Sequence, residues 1–209
     1  MDEKDRQSAF LSALTTEHFV LQTAANGTIS EAGNRSALYV FSLSSSLVAM
    51  GFASRSRDVF VPFAAAVLPC LFLLGMFTVI RLVDITLEYL HCLRGIARIR
   101  GYYRALTPEA GMYFAPETGR WPEAPTPSLQ SGRFAVLGTS ASMLALINSM
   151  VAGAGITMLA DNLLGGERMT LAVVFGIASV LALMAAFLVY QRWRFRAFEL
   201  IESRAARPA

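Results

Sequence analysis

The chain has 209 residues, of which 55% are hydrophobic and only 16% charged, and its net charge is +3. A soluble domain carries about 25% charged residues and spreads them between apolar positions. Here they fall in blocks separated by long charge-free stretches, which excludes an ordinary soluble globular domain and places the chain in the membrane class.

The N-terminal segment, residues 1–35, is polar or amphipathic, with no short apolar core behind a basic start, so no cleaved signal peptide is expected. Within it, SAFLSALTTEHFVLQTAA (Ser8 to Ala25) places Phe10, Leu14, His18, Leu21 and Ala25 on one face at helical spacing, with Leu11 beside them. This predicts an amphipathic helix ahead of the membrane, ended by Asn26 and Gly27. Thr28 and Glu31 then fit a capping box for a second helix that runs on toward the membrane.

Four stretches are long and apolar enough to span a bilayer, which takes about 20 residues. They cover residues 36–53 and 59–80, forming one hairpin, and 134–160 and 169–191, forming another. The first span carries Ser42, Ser44, Ser45 and Ser46 and is the most dilute of the four. Between the hairpins, residues 81–133 begin with RLVDITLEYLHCLRGIARIRGYYRAL. Leu82, Ile85, Tyr89, Leu93 and Ile96 form its apolar stripe, while Asp84, Glu88, His91 and Arg94 take other faces. The segment reads as a cytoplasmic extension of span two, packed on the N-terminal amphipathic helix. Thr107 and Pro108 punctuate its end, and the Pro- and Gly-rich stretch from Pro108 to Gln130 reads as a flexible linker. Residues 192–209 form a basic tail. The expected fold class is therefore all-α: a four-helix integral membrane protein with an N-terminal amphipathic helix and an extended second span.

The basic residues set the orientation. The N-terminal arm, the 81–133 segment and the tail hold all the Lys and Arg except Arg55, Arg57 and Arg168, a bias of about five to one. Both termini are expected in the cytoplasm, and the two opposite loops are tight.

Span three carries small residues four apart (Ala141, Ala145, Ser149, Gly153, Thr157), and span four carries Ala178, Ala182 and Ala186 at the same spacing. Such ladders let helix backbones approach closely. They suit packing within one bundle or contact between subunits, and a homo-oligomer is expected. Asn148, the most polar deep residue, is expected to make an interhelical hydrogen bond.

The inventory of reactive groups is short. Cys70 lies inside span two. His91 and Cys92 are helix neighbours that point about 100° apart, with no further ligands at usable spacing, so no metal site is expected. There is no HExxH, Walker loop or GxSxG motif, and no span has an ionisable residue at its middle. The reading is a protein that is not an enzyme, needs no cofactor, and has the lipid bilayer rather than nucleic acid as a partner.

One constellation remains. Arg94, Arg98, Arg100 and Arg104 are interleaved with Tyr102 and Tyr103. Guanidinium groups bind phosphate bidentately and Tyr rings stack on bases, so this set is a candidate site for a small anionic nucleotide beside the membrane. Equally, cytoplasmic arginines anchor orientation and attract anionic headgroups.

The layout of LSALTTEHFVLQTAA, ISEAGNRSALYVFSLSSSLVAMGF, a second span and a basic helix resembles the small transmembrane effectors of bacterial antiphage systems that signal through cyclic nucleotides, in particular those of the pyrimidine cyclase (Pycsar) systems. The resemblance covers roughly Phe10 to Leu106. It implies a protein of the bacterial inner membrane that responds to cyclic UMP or cyclic CMP, made by a partner cyclase on infection, by damaging that membrane. It assigns no residue here to nucleotide binding, and the cytoplasmic segments are too short for a separate nucleotide-binding domain. The alternative is a constitutive structural or channel-like membrane subunit with no nucleotide ligand.

Overall fold

A computed structural model of the chain describes residues 2–114, 139–165 and 168–205, and these form five helices with no strand among them. They are α1 (Glu3–Ala53), α2 (Arg57–Leu106), the four-residue α3 (Ala110–Tyr113), α4 (Ser140–Leu163) and α5 (Met169–Ala205). Four of them, α1, α2, α4 and α5, are long and apolar enough to cross a membrane. The all-α, four-span architecture read from the sequence is therefore the architecture of the chain.

Helix length separates the first pair from the second. At 1.5 Å per residue, the 51 residues of α1 and the 50 of α2 each extend about 75 Å, against about 30 Å of hydrocarbon. The extension of span two is continuous with the span, as expected, and α1 is likewise unbroken. The expected stop at Asn26 and Gly27 does not occur. Thr28, read as a helix cap, lies mid-helix, and its hydroxyl donates to the Ala25 carbonyl at 2.7 Å. Ala25 is buried, and Leu21, Gln22 and Thr28 are partly covered. A helical Gly costs only about 1 kcal/mol, which tertiary packing readily overrides.

The turn from α1 to α2 is tight. Ser54 N–H donates to Met50 O at 2.9 Å, and Ser56 N–H donates to Ala53 O at 3.1 Å. At the end of α4, Leu164 N–H donates to Ala160 O, and Gly165 takes a φ of +70°, the left-handed conformation that ends helices cheaply.

The chain divides into two compact units. One comprises residues 33–83 and 137–209, which hold the membrane-spanning stretches. In it, Tyr39 of α1, Gly75 of α2 and Asn148 of α4 meet at one level. The Tyr39 hydroxyl donates to Asn148 Oδ1 at 3.1 Å, and Asn148 Nδ2 donates to the Phe72 carbonyl of α2 at 3.2 Å. The hydrogen bond expected of Asn148 thus ties three helices together. Gly75 makes room for it, since a methyl there would overlap the Asn148 amide and lie 2.8 Å from the Tyr39 ring.

The ladder of α4 packs inward: Ala141, Ala145, Ser149 and Gly153 are all buried. Gly153 faces Gly176 of α5, and a Cβ on Gly176 would sit 2.8 Å from the Gly153 carbonyl oxygen. The ladder of α5 is not covered by the described residues. Ala178, Ala182 and Ala186 are exposed, and the buried side of α5 is instead Ala172, Gly176, Phe187 and Gln191. Span three was expected from residue 134, but residues 115–138 lie outside the described part, and α4 begins at Ser140. It is capped by Thr139, whose side chain accepts from Ser142 N–H. The basic tail continues α5 as helix to Ala205.

The other unit comprises residues 1–32 and 84–136. Here α1 turns Leu11, Leu14, His18, Leu21, Ala25 and Thr28 to its covered side, at alternating spacings of three and four residues, the pattern of a two-helix seam. Leu21 lies against Gly95 of α2, where a Cβ would come within 2.7 Å of Leu21 Cδ1. The expected packing of the amphipathic helix on the α2 extension is therefore present. Burial on α2 is broader than one stripe: besides Ile85, Leu93 and Ile96, it takes in Leu87, Leu90, Cys92 and Ile99.

Candidate functional site

The six residues singled out from the sequence lie on the last four turns of α2. A rotation of about 100° per residue divides them. Arg100, Tyr103 and Arg104 share one face, while Arg94, Arg98 and Tyr102 lie on roughly the opposite one. They do not converge as a single set.

On the second face, Tyr102 meets Phe10 of α1 edge to face, with ring centroids 5.4 Å apart. Arg98 is exposed and Arg94 is half-buried. This Tyr serves the contact between α1 and α2, and Phe10, expected on the packing face, reaches that contact while remaining 50% exposed.

On the first face the chain returns onto its own helix. After Leu106, α3 turns residues 110–113 back, and Phe114 N–H donates to Ala110 O at 2.9 Å. The Phe114 ring stacks on Tyr103, at 5.3 Å between centroids and 20° between planes. The Arg100 guanidinium carbon lies 5.7 Å from the same ring centroid, within cation–π range. Arg104 Nη1 donates to the Phe114 carbonyl at 3.1 Å. The Tyr103 and Thr15 hydroxyls are hydrogen-bonded at 3.2 Å, which fixes the outer edge of the Tyr ring to α1.

The linker reading therefore gives way for residues 108–114, which dock on α2; the rest of that stretch lies outside the described residues, as do Arg120 and Arg133. Phe114 and Thr15 were missed. Phe114 sits in a Gly- and Pro-rich segment with no periodicity to mark it. The short run AGMYF was the only signal of an apolar return.

Chemically, two guanidinium groups and a phenol ring on one helix face can hold an acceptor oxygen and a planar ring together. Nothing in this arrangement resembles a nucleophile–base pair. Among the described residues no group of three or more His, Cys, Asp or Glu side chains is placed to hold a metal. His91 is exposed whereas its neighbour Cys92 is buried. Burial, and secondarily the negative charge of Glu88, pushes the Cys92 thiol above its ordinary range.

Fold and site together define an all-helical protein with multi-pass membrane architecture and a cation–aromatic cluster at the end of its second long helix. No protein-family model, no curated protein and no solved structure matches the chain.

Proposed function

We propose that the chain is a ligand-responsive membrane effector of a bacterial antiphage system. It acts by binding rather than by catalysis, and a cyclic pyrimidine nucleotide, cyclic UMP or cyclic CMP, activates it to impair inner-membrane integrity. The observation that carries the proposal is the grouping of Arg100, Tyr103 and Arg104 on one face of a helix that is continuous with a membrane span. A guanidinium pair suits a phosphate, and an aromatic face suits a base. The choice of cyclic pyrimidine nucleotides comes from the resemblance in layout. The basic residues support an orientation with both termini in the cytoplasm, on the side where such a ligand is made. Assembly of several copies belongs to the proposal, and the outward ladder of α5 supports it as a place where a second copy approaches at low steric cost.

The test is equilibrium binding of cyclic UMP and cyclic CMP to the detergent-purified chain, with cyclic AMP as control. Saturable, pyrimidine-selective binding that Arg100→Glu abolishes and Arg98→Glu spares is the expected result. The second reading, a constitutive structural or channel-like subunit, is favoured by the engagement of Tyr102 and Tyr103 with the chain's own Phe10 and Phe114. It predicts no saturable binding of any of the three nucleotides.

A further inference from the structure

Phe114 engages every recognition group on the first face of α2. Its ring lies against Tyr103 as a base would stack, and the Arg100 guanidinium lies over the same ring. Its carbonyl oxygen accepts from Arg104, as a phosphate oxygen would. The Tyr103 ring, the Arg100 cation and the Arg104 donor are each engaged by one residue of the same chain.

Among the described residues, the segment that delivers Phe114 has few other contacts. Helix α3 is four residues long and has no buried residue, and an isolated turn of that length does not persist on its own. Met112 is 76% and Tyr113 77% exposed. Among the described residues the other ties are local: Ala110 N–H to the Thr107 hydroxyl at 3.3 Å, and backbone bonds within the turn. Among the described residues, it is Phe114 whose contacts seat residues 107–114 on α2.

We infer that residues 107–114 are a self-inhibitory strap, in which Phe114 stands in for the ring and acceptor oxygen of a planar anionic ligand and leaves the Arg100–Tyr103–Arg104 face when that ligand binds. The inference rests on the reading of this face as a nucleotide site and adds its regulation. A ligand competing with a tethered side chain sees only the fraction of molecules whose strap is open, so its apparent affinity is the intrinsic affinity multiplied by that fraction.

The experiment titrates cyclic UMP and cyclic CMP into the full-length chain in detergent, comparing the wild type with Phe114→Ala and Phe114→Trp. Hydrogen exchange of the 110–114 amides is followed in the same samples. Phe114→Ala is expected to bind roughly tenfold more tightly, Phe114→Trp more weakly, and ligand is expected to speed exchange in the wild-type strap. Equal affinity in all three proteins overturns the strap and leaves the nucleotide reading standing. Weaker binding by Phe114→Ala also overturns it, because Phe114 would then belong to the ligand's own contacts. Binding by Phe114→Ala alone supports both, and no binding by any of the three removes the nucleotide reading and the strap with it.

Discussion

Tyr39 and Asn148, from α1 and α4, share a hydrogen bond between side chains that are 0% and 5% exposed. Asn148 uses its amide nitrogen on the Phe72 carbonyl of α2 at the same time. Side-chain hydrogen bonds between membrane helices average about 0.6 kcal/mol and reach about 1.7, so this junction sets which helices meet and in what register more than it sets total stability. Tyr39→Phe should cost about 1–3 kcal/mol, because it spares the Asn148 bond to Phe72 but strands the buried Asn148 Oδ1. Asn148→Ala should cost about 1–3 kcal/mol, because it strands the buried Tyr39 hydroxyl. Thermal unfolding in detergent measures both, and the double variant should be less destabilised than the sum of the singles.

Gly75 and two other glycines of the long helices make a controlled comparison. A Cβ at Gly75 would overlap the Asn148 amide, whereas at Gly33 and Gly51 it would meet nothing within 4 Å. Gly75→Ala should therefore destabilise by about 1–3 kcal/mol through overpacking. Gly33→Ala and Gly51→Ala should be neutral or stabilising by up to about 1 kcal/mol, through helix propensity alone. The same unfolding assay in detergent ranks the three.

The Cys92 thiol provides a pH test of the α2 extension. Its burial and the charge of Glu88 hold it protonated where an ordinary thiol has begun to ionise. The folded chain therefore binds that proton more tightly than the unfolded chain. Stability from this group is unchanged below the unfolded thiol value of about 8.5 and falls as pH rises above it. With Cys70 replaced by Ser, maleimide labelling of the folded chain should be slow and rise little from pH 7 to 9, while the SDS-unfolded chain labels quickly over that range. Equal rates for folded and unfolded protein would contradict the burial.

Orientation is testable independently of any ligand. Reporter fusions at both termini should report a cytoplasmic location, and insertions at Ser56 and at Gly165 the opposite side. A C-terminal fusion reporting the opposite side from the N-terminal one would require an odd number of crossings and would contradict four spans.

What could be read in the sequence follows from how local each signal is. Spans show as charge-free length, and Asn148 shows as a lone amide in an apolar helix, so both were legible. Its partner was not, because choosing Tyr39 depends on which helices touch at that level. The break expected at Asn26 and Gly27 failed for the opposite reason: a local stop signal was overridden by the covered stripe that runs through Leu21, Ala25 and Thr28. The α5 ladder was visible as a pattern, but its outward direction was not, since spacing alone does not say which face of a helix is inside. At the candidate site, the charges and rings of α2 were legible, whereas their division between two faces needed the helix to be followed residue by residue. Phe114 needed the fold itself.

Under the proposed function, ligand binding at the end of α2 damages the membrane. The direct measurement is release of a small trapped dye from liposomes carrying the reconstituted chain, with cyclic UMP, cyclic CMP or cyclic AMP added. Release that is low without ligand, rises with a cyclic pyrimidine nucleotide, and is lost in Arg100→Glu is the predicted result. Release that is the same with and without each nucleotide would contradict the claim and leave a four-span membrane protein whose arginines set its orientation.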